Sequence, residues 1–383
     1  MSLAEELDQL KISGLYRQLK TIEKINGNKV TIAGRELLSF CSNDYLGLSQ
    51  HPLVIEKANE AAKEFGFGAG ASRLISGQTI WHDKLEKKLA QFKSRAAALV
   101  FPSGYQANLG IISALVGTGD TVIIDRLCHA SIIDACRLSK AKLQVFPHQN
   151  MAALEKILGR SSSFKQKLII TDSVFSMDGD LANLPEIVGL AKKYGTLTMI
   201  DEAHATGVIG KTGRGLEEYF GVTGKVDLIM GTLSKALGSV GGFVSASQTI
   251  IDYLVNKSRP FIFSTALPAA ACAAAYTSLE IIENNPSLLK KLRKNISYLI
   301  KQLANNEINV KDHQTPIIPI MTYDPAKTLA ISHKLLTAGF LVVGIRPPAV
   351  PTGKCRLRIT VNANHTEEEI EGLAKMIFHL MAD

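Results

Sequence analysis

Lys235 stands in the glycine-rich and otherwise uncharged stretch LIMGTLSKALGSVGGFV, whereas most other lysines sit on helical faces beside further charges. An amine partly withdrawn from water gives up its proton readily and can attack a carbonyl, so this is where an imine-forming lysine is useful; a lysine on a surface loop reads the same way. Asp201 closes the apolar run TLTMID and is followed by EAHATG, with His204. A carboxylate at that depth can hold a proton on the nitrogen of a pyridine ring and keep the ring an electron sink, or it can cap the next helix. The strand pleat sends Glu202 towards the opposite face. His204 could reach a phenolic oxygen on such a ring and His129, in DRLCHAS, could lie flat against it, although each histidine alone is more often structural. PSGYQAN (102 to 108) follows an apolar run and precedes a helical one, so the backbone amides near Gly104 and Tyr105 can face a phosphate at a helix N-terminus. Thr232 offers a hydroxyl to the same phosphate, and Ser176, in SVFSMDGD, is a further polar residue at a strand end.

Each of these residues follows a short apolar run. AALVF (97 to 101), TVIID (121 to 125), KLIITD (167 to 172), TLTMID (196 to 201), VDLIMG (226 to 231) and GGFVSA (241 to 246) are β-rich and apolar on both faces, with amphipathic segments such as 107 to 115 and 184 to 194 between most of them. Strands buried on both faces and joined by helices predict an α/β fold with a mostly parallel central sheet and helices on both faces. In such sheets the ligand lies beyond the carboxyl ends of the strands, where these polar residues converge. The pattern then changes: a long helical run from 279 to 305, strands in TPIIPIMTY and CRLRITVNA, and a closing helix from 366 to 381 predict a smaller α+β C-terminal domain. Thr366 followed by Glu369 is a capping-box signature for that last helix. The expected organisation is an N-terminal arm over 1–50, a large α/β domain over 51–278 and the small domain over 279–383. In CRLRIT, Arg356 and Arg358 share one face, a guanidinium fork suited to a carboxylate, and either arginine could serve; a solvent-facing strand is the plainer alternative.

The 46% hydrophobic content of the 383 residues suffices for an ordinary buried core. No run is long and uncharged enough to span a bilayer, which predicts a cytoplasmic protein. Five scattered cysteines without a CxxC pair argue against a disulfide framework and a zinc site, and no metal is expected. A net charge of +8 suits an anionic small molecule or an acidic carrier protein as well as nucleic acid, but no aromatic-interleaved basic strand of the RNA-binding kind is present.

Taken in order, SFCSNDYLGLSQHP, GASRLISGQTIWHDKLE, PSGYQAN, DRLCHAS, DSVFSMDGD, IDEAHATGVIGKTGRG, GTLSKALGSVGG, FIFSTALP and IRPPAVPTGKCRLRIT resemble the α-oxoamine synthases, fold-type I pyridoxal-phosphate acyltransferases, over nearly the whole chain. The resemblance implies pyridoxal 5'-phosphate as cofactor, Lys235 as its Schiff-base lysine, Asp201 on the pyridine nitrogen, His204 on the phenolic oxygen and His129 stacked on the ring. It implies that Gly104, Tyr105, Ser176 and Thr232 hold the cofactor. Ser264 and Thr265 would reach the phosphate in a neighbouring subunit, hence a homodimer with shared active sites. It prefers Arg358 to Arg356, with Asn43, for the amino-acid carboxylate, and brings Arg17 and Arg346 to the substrate. Within the group, ASRLISG and GIRPPAVPTGKCRLRIT are most similar to members that join L-alanine to a pimeloyl thioester, on coenzyme A or acyl carrier protein, in biotin synthesis. Related chains often carry threonine after RPP where this one has Ala349, a change near the acyl-binding region.

Overall fold

Runs that are apolar on both faces form strands buried on both faces, and every residue of Thr121–Asp125, Leu228–Thr232 and Gly242–Ala246 is buried. The computed structural model describes residues 2–308, 310 and 314–382, and the chain divides into two units. The larger holds Leu48–Ser176 and Leu181–Leu289; the smaller holds Met1–Gly47, Met177–Asp180 and Lys290–Asp383.

The larger unit is built on a seven-stranded sheet ordered Ala97–Phe101, Gly242–Ala246, Leu228–Thr232, Leu197–Asp201, Lys167–Asp172, Thr121–Asp125, Lys142–Phe146. Only Gly242–Ala246 runs against its neighbours in this sheet. The parallel register sets Asp172 opposite Asp201, so two acids end adjacent strands. Helices Gly104–Leu115 and Leu184–Tyr194 flank the sheet; Ser103 caps the first by accepting from Gln106 N at 3.1 Å, and Gly195 ends the second in the left-handed region with φ of 58°. Lys142–Phe146, which was not expected, is an edge strand with Lys142 and Val145 exposed, so its sequence lacks the doubly apolar signature.

In the smaller unit Cys355–Thr360 is the fully buried centre of an antiparallel sheet, between Ile317–Tyr323 and Val343–Ile345. A second sheet runs Lys24–Asn26, Lys29–Ile32, Arg35–Ser39, Phe340–Leu341, so residues expected as an arm carry strands of their own. Helix Glu367–Ala382 opens on the expected capping box: Glu369 N donates to Thr366 Oγ1 at 3.3 Å and Thr366 N to Glu369 Oε2 at 3.0 Å. The helical run expected over 279 to 305 is two helices, Ala269–Asn284 and Pro286–Asn305, because Pro286 has no N–H to continue the first and is well placed to begin the second. Among the described residues no helix is long and apolar enough to cross a membrane.

Candidate active site

In the larger unit, Lys235 lies three residues beyond strand Leu228–Thr232 and is half-buried, and its Nζ stands 2.8 Å from Nε2 of the buried His204. Asp201 is also buried at its strand end, where Oδ2 accepts from Asn108 Nδ2 at 2.9 Å and Oδ1 from Ala203 N at 2.9 Å. The same Asn108 amide donates to Ser131 Oγ at 2.9 Å, and Ser131 Oγ lies 2.7 Å from His129 Nδ1. Nδ1 of His129 also accepts from Ser131 N at 3.3 Å. A relay of hydrogen bonds thus joins Asp201 to His129, whose residue is exposed and begins helix Ala130–Ser139. The backbone of His129 donates to Asp172 Oδ1 at 3.2 Å. Burial, and next the charge of Asp201, pushes the Asp172 carboxyl well above the usual carboxylate range.

Three further features lie at the ends of these strands. A Cβ placed on Gly104 would stand 3.1 Å from Met230 Cε and 3.6 Å from Thr232 Oγ1, so the start of helix Gly104–Leu115 and the threonine hydroxyl face one space. Thr232 Oγ1 donates to Gly241 O at 2.8 Å and meets Ser234 Oγ at 2.7 Å. Behind the strand end, Glu202 points away from Asp201 and is bound in a buried ion pair, 2.5 Å from Lys93 Nζ. Helix-terminal amides and a hydroxyl suit a phosphate, an amine beside an imidazole suits a carbonyl carbon with a neighbouring oxygen, and a buried carboxylate suits a protonated ring nitrogen. The residues present therefore fit pyridoxal 5'-phosphate.

The remaining expected residues divide between the units. Tyr105 turns its hydroxyl to Asp134, leaving only its backbone for a phosphate. Ser264 Oγ accepts from Gln106 Nε2 at 3.3 Å, next to the start of the same helix, while Thr265 is exposed and bridges to Ser72. Ser176 is half-buried. In the smaller unit Arg358 Nη2 donates to Asn43 Oδ1 at 3.2 Å and Nη1 to Thr360 Oγ1 at 3.0 Å, whereas Arg356 Nη1 is engaged by Asp178 Oδ1 at 2.5 Å. Arg17 and Arg346 brace each other's segments, Arg17 Nη2 donating to Pro347 O at 3.0 Å and Arg346 Nη2 to Tyr16 O at 2.7 Å. Burial first, and the positive charge of Arg17 second, lowers the proton affinity of Arg346.

Reading the residues one at a time did not single out Asn108, Ser131, Asp172 or Lys93. Asn108 did leave a signal, being a polar, poor helix former inside the apolar run GYQANLGIISAL.

Residues 35–377 match the family model described as aminotransferase class I and II. The chain is 48% identical to the 8-amino-7-oxononanoate synthase of Citrifermentans bemidjiense over 378 residues, covering 98% of this chain and 97% of that one. Its backbone matches a serine palmitoyltransferase from S. paucimobilis, solved with bound pyridoxal phosphate and myriocin, at a TM-score of 0.95, with 33% identity over 99% of this chain and 96% of the other. It matches the 8-amino-7-oxononanoate synthase of Francisella tularensis at a TM-score of 0.79, with 29% identity over 90% of this chain and 98% of that one.

Proposed function

Because the chain belongs to the 8-amino-7-oxononanoate synthases, pyridoxal-phosphate-dependent acyltransferases of biotin biosynthesis, we propose that it joins L-alanine to a pimeloyl thioester, carried on coenzyme A or acyl carrier protein. The products are 8-amino-7-oxononanoate, CO2 and the free carrier thiol. The observation that carries the reading is the pairing of Lys235 Nζ with His204 Nε2 at 2.8 Å, beyond the strand ends where the Asp201 relay begins.

Bound pyridoxal phosphate supplies an electron sink for the charge that develops at the α-carbon of the amino acid. Lys235 would hold the cofactor covalently, and its Nζ, when free, would take the α-proton of the amino acid and later return one. Asp201, fixed by Asn108 and Ala203 N, keeps a proton on the ring nitrogen. His204 orients the phenolic oxygen, and Ser176 helps to hold the cofactor. The exposed ring of His129, with Nδ1 tied to Ser131, is free to lie along the cofactor's face near the α-carbon. The amides at Gly104 and Tyr105 and the Thr232 hydroxyl bind the phosphate, joined by Ser264 and Thr265 of a neighbouring subunit. Arg358 and Asn43 take the amino-acid carboxylate, which the engagement of Arg356 by Asp178 favours over the alternative arginine. Arg17 and Arg346 approach the acyl chain. A cytoplasmic homodimer with shared sites completes the proposal; exposed Leu74, Ile75 and Phe263, in the segments bridged by Ser72 and Thr265, support it.

The test is the visible spectrum of the purified protein, with and without L-alanine, glycine or serine, beside Lys235→Ala. A yellow wild type whose band shifts with L-alanine, and which makes CO2 and an amino ketone once pimeloyl thioester is added, is expected. A colourless protein that gains no band from added pyridoxal phosphate refutes the reading.

A further inference from the structure

Three neighbouring strands of the larger unit, Thr121–Asp125, Lys167–Asp172 and Leu197–Asp201, each end in a buried carboxyl, and Asp172 is the middle one. The parallel register makes Asp172 the direct partner of Asp201, so their Cα atoms stand about 4.8 Å apart and both side chains leave the same face of the sheet. A row of this kind resists being charged throughout, because each buried negative charge raises the free energy of the next.

The hydrogen-bond donors are shared out unequally along the row. Asp201 accepts from Asn108 Nδ2 and Ala203 N, both at 2.9 Å. Asp125 accepts from Leu127 N at 2.8 Å, Gln149 N at 2.8 Å and His148 Nδ1 at 3.0 Å. Among the described residues Asp172 accepts from one donor alone, His129 N, at 3.2 Å, the longest bond of the set. Donors favour the charged form of a carboxyl, so the two outer acids are supported as anions and the middle one is the place for a proton. The charged groups around it act in the same sense on balance. Burial first and the charge of Asp201 second hold its carboxyl well above the usual range; the bond from His129 N and the charge of Lys235 oppose them, and Asp125 adds to them. Cys128, in the turn before His129, is a thiol pushed up by burial and then by Asp172 and Asp125, and brings no positive charge.

We propose that Asp172 is a positioning residue that works as a neutral carboxylic acid, holding His129 by its backbone and leaving Asp201 as the one negative charge offered to the cofactor's ring nitrogen. A charged Asp172 would spread negative charge over two strand ends and compete with Asp201 for the same proton. The protonated acid still has an oxygen for His129 N and does neither. The inference rests on the roles proposed above for Asp201 and His129. An acid that served only the fold would need its hydrogen bond but not its proton.

The experiment compares the holoenzymes of wild type, Asp172→Asn and Asp172→Ala by visible band, by dissociation constants for pyridoxal phosphate and L-alanine, and by melting temperature at pH 5 and pH 8. Asparagine has the shape of the neutral acid and keeps an oxygen for His129 N, so Asp172→Asn is expected to hold both dissociation constants within about threefold of wild type. Asp172→Ala loses the tether, and with it more than about threefold in L-alanine affinity, as expected for one hydrogen bond. The pH arm reads the proton itself. The folded value of Asp172 lies above the unfolded one, so the stability it lends is complete below about pH 4 and is lost as pH rises through the folded value. Asparagine has no proton to lose, and Asp172→Asn should gain at least about 3 °C on wild type between pH 5 and pH 8. Asp172→Asn that loses more than threefold in either affinity, or that gains nothing on wild type as pH rises, overturns the proposal, even if Asp172→Ala fails to fold. Folded Asp172→Ala with wild-type L-alanine affinity overturns it as well. A wild type with no visible band overturns instead the functional reading on which the proposal stands, so the two failures are told apart.

Discussion

Lys93→Met tests how the Asp201 turn is held. The Lys93 and Glu202 side chains are 0% exposed, with Nζ 2.5 Å from Oε2. Lys93 also donates to Arg214 O at 2.8 Å, and Glu202 Oε1 accepts from Leu216 N at 2.7 Å. Burial pulls the Lys93 proton affinity down, and the charge of Glu202 opposes that shift without cancelling it, so each charge depends on the other. Removing one partner leaves a buried charge uncompensated, at about 3–5 kcal/mol. A unit of this size loses about 2–4 °C of melting temperature per kcal/mol, so the larger unit should melt roughly 6–20 °C lower. Glu202 N donates to Met230 O at 2.7 Å beside Asp201, so loosening Glu202 should also release cofactor more readily. Replacing both groups, Lys93→Met with Glu202→Leu, removes the charge imbalance and should recover at least half of the loss. Calorimetry of the four proteins of the cycle measures this. A single variant that melts within 2 °C of wild type, at about 1 kcal/mol or less, refutes the reasoning.

Acid should weaken each unit through one buried histidine. Burial first and Arg73 second push His82 down to about 4, and burial pushes His365 down to about 4. Both folded values lie below the unfolded one, so the unfolded chain binds more protons between about pH 6.5 and 4, and stability present above that window is lost as pH falls through it. The loss is about 2 kcal/mol per histidine on going from pH 7 to 5; urea unfolding at the two pH values should show it, and His82→Gln or His365→Gln with an unchanged slope would contradict it. Gly242→Ala would put a methyl 2.6 Å from Ser103 O and 2.7 Å from Gly104 N, pushing the helix start off its place, whereas at Gly104 the nearest atom is the flexible end of Met230 at 3.1 Å. Equilibrium titration of the apoprotein with pyridoxal phosphate should therefore show Gly242→Ala with cofactor affinity reduced about tenfold or more, a loss of about 1.4 kcal/mol. Asn108→Leu removes the donors to Asp201 and Ser131, both at 2.9 Å. A hydrogen bond to a charged group is worth about 1.5–3 kcal/mol, so turnover should fall roughly tenfold or more, and wild-type turnover would show that the relay does not position Asp201.

The candidate residues around Lys235 and Asp201 were legible as a group because each stands next to a strand whose local pattern announces it. Thr121–Asp125 and Leu228–Thr232 are buried throughout, and their apolar runs say so without reference to any neighbour. Where burial is absent the signal is absent too: Lys24–Asn26 is wholly exposed and Lys142–Phe146 partly so, and neither read as a strand. The resemblance supplied the roles of Arg358 and Asn43, which spacing alone left open between two arginines on one face. The structure adds that Arg356 is engaged by Asp178, 178 residues away in sequence, an observation that supports the proposal of Arg358.

The residues that hold the chemistry in place were not legible for a related reason. Asn108 and Asp201 are 93 positions apart, and Asp172 meets Asp201 only because the parallel register sets them side by side. Register is fixed by the packing of whole faces, since a slip of one residue would turn every side chain to the other side, and no local window contains that information. Yet each such residue posted half of the message. Burying an amide or a carboxyl without a partner costs several kcal/mol, so Asn108 in an apolar helix and Asp172 at the end of a buried strand each required one. Sequence thus states that a partner must exist, and topology names it.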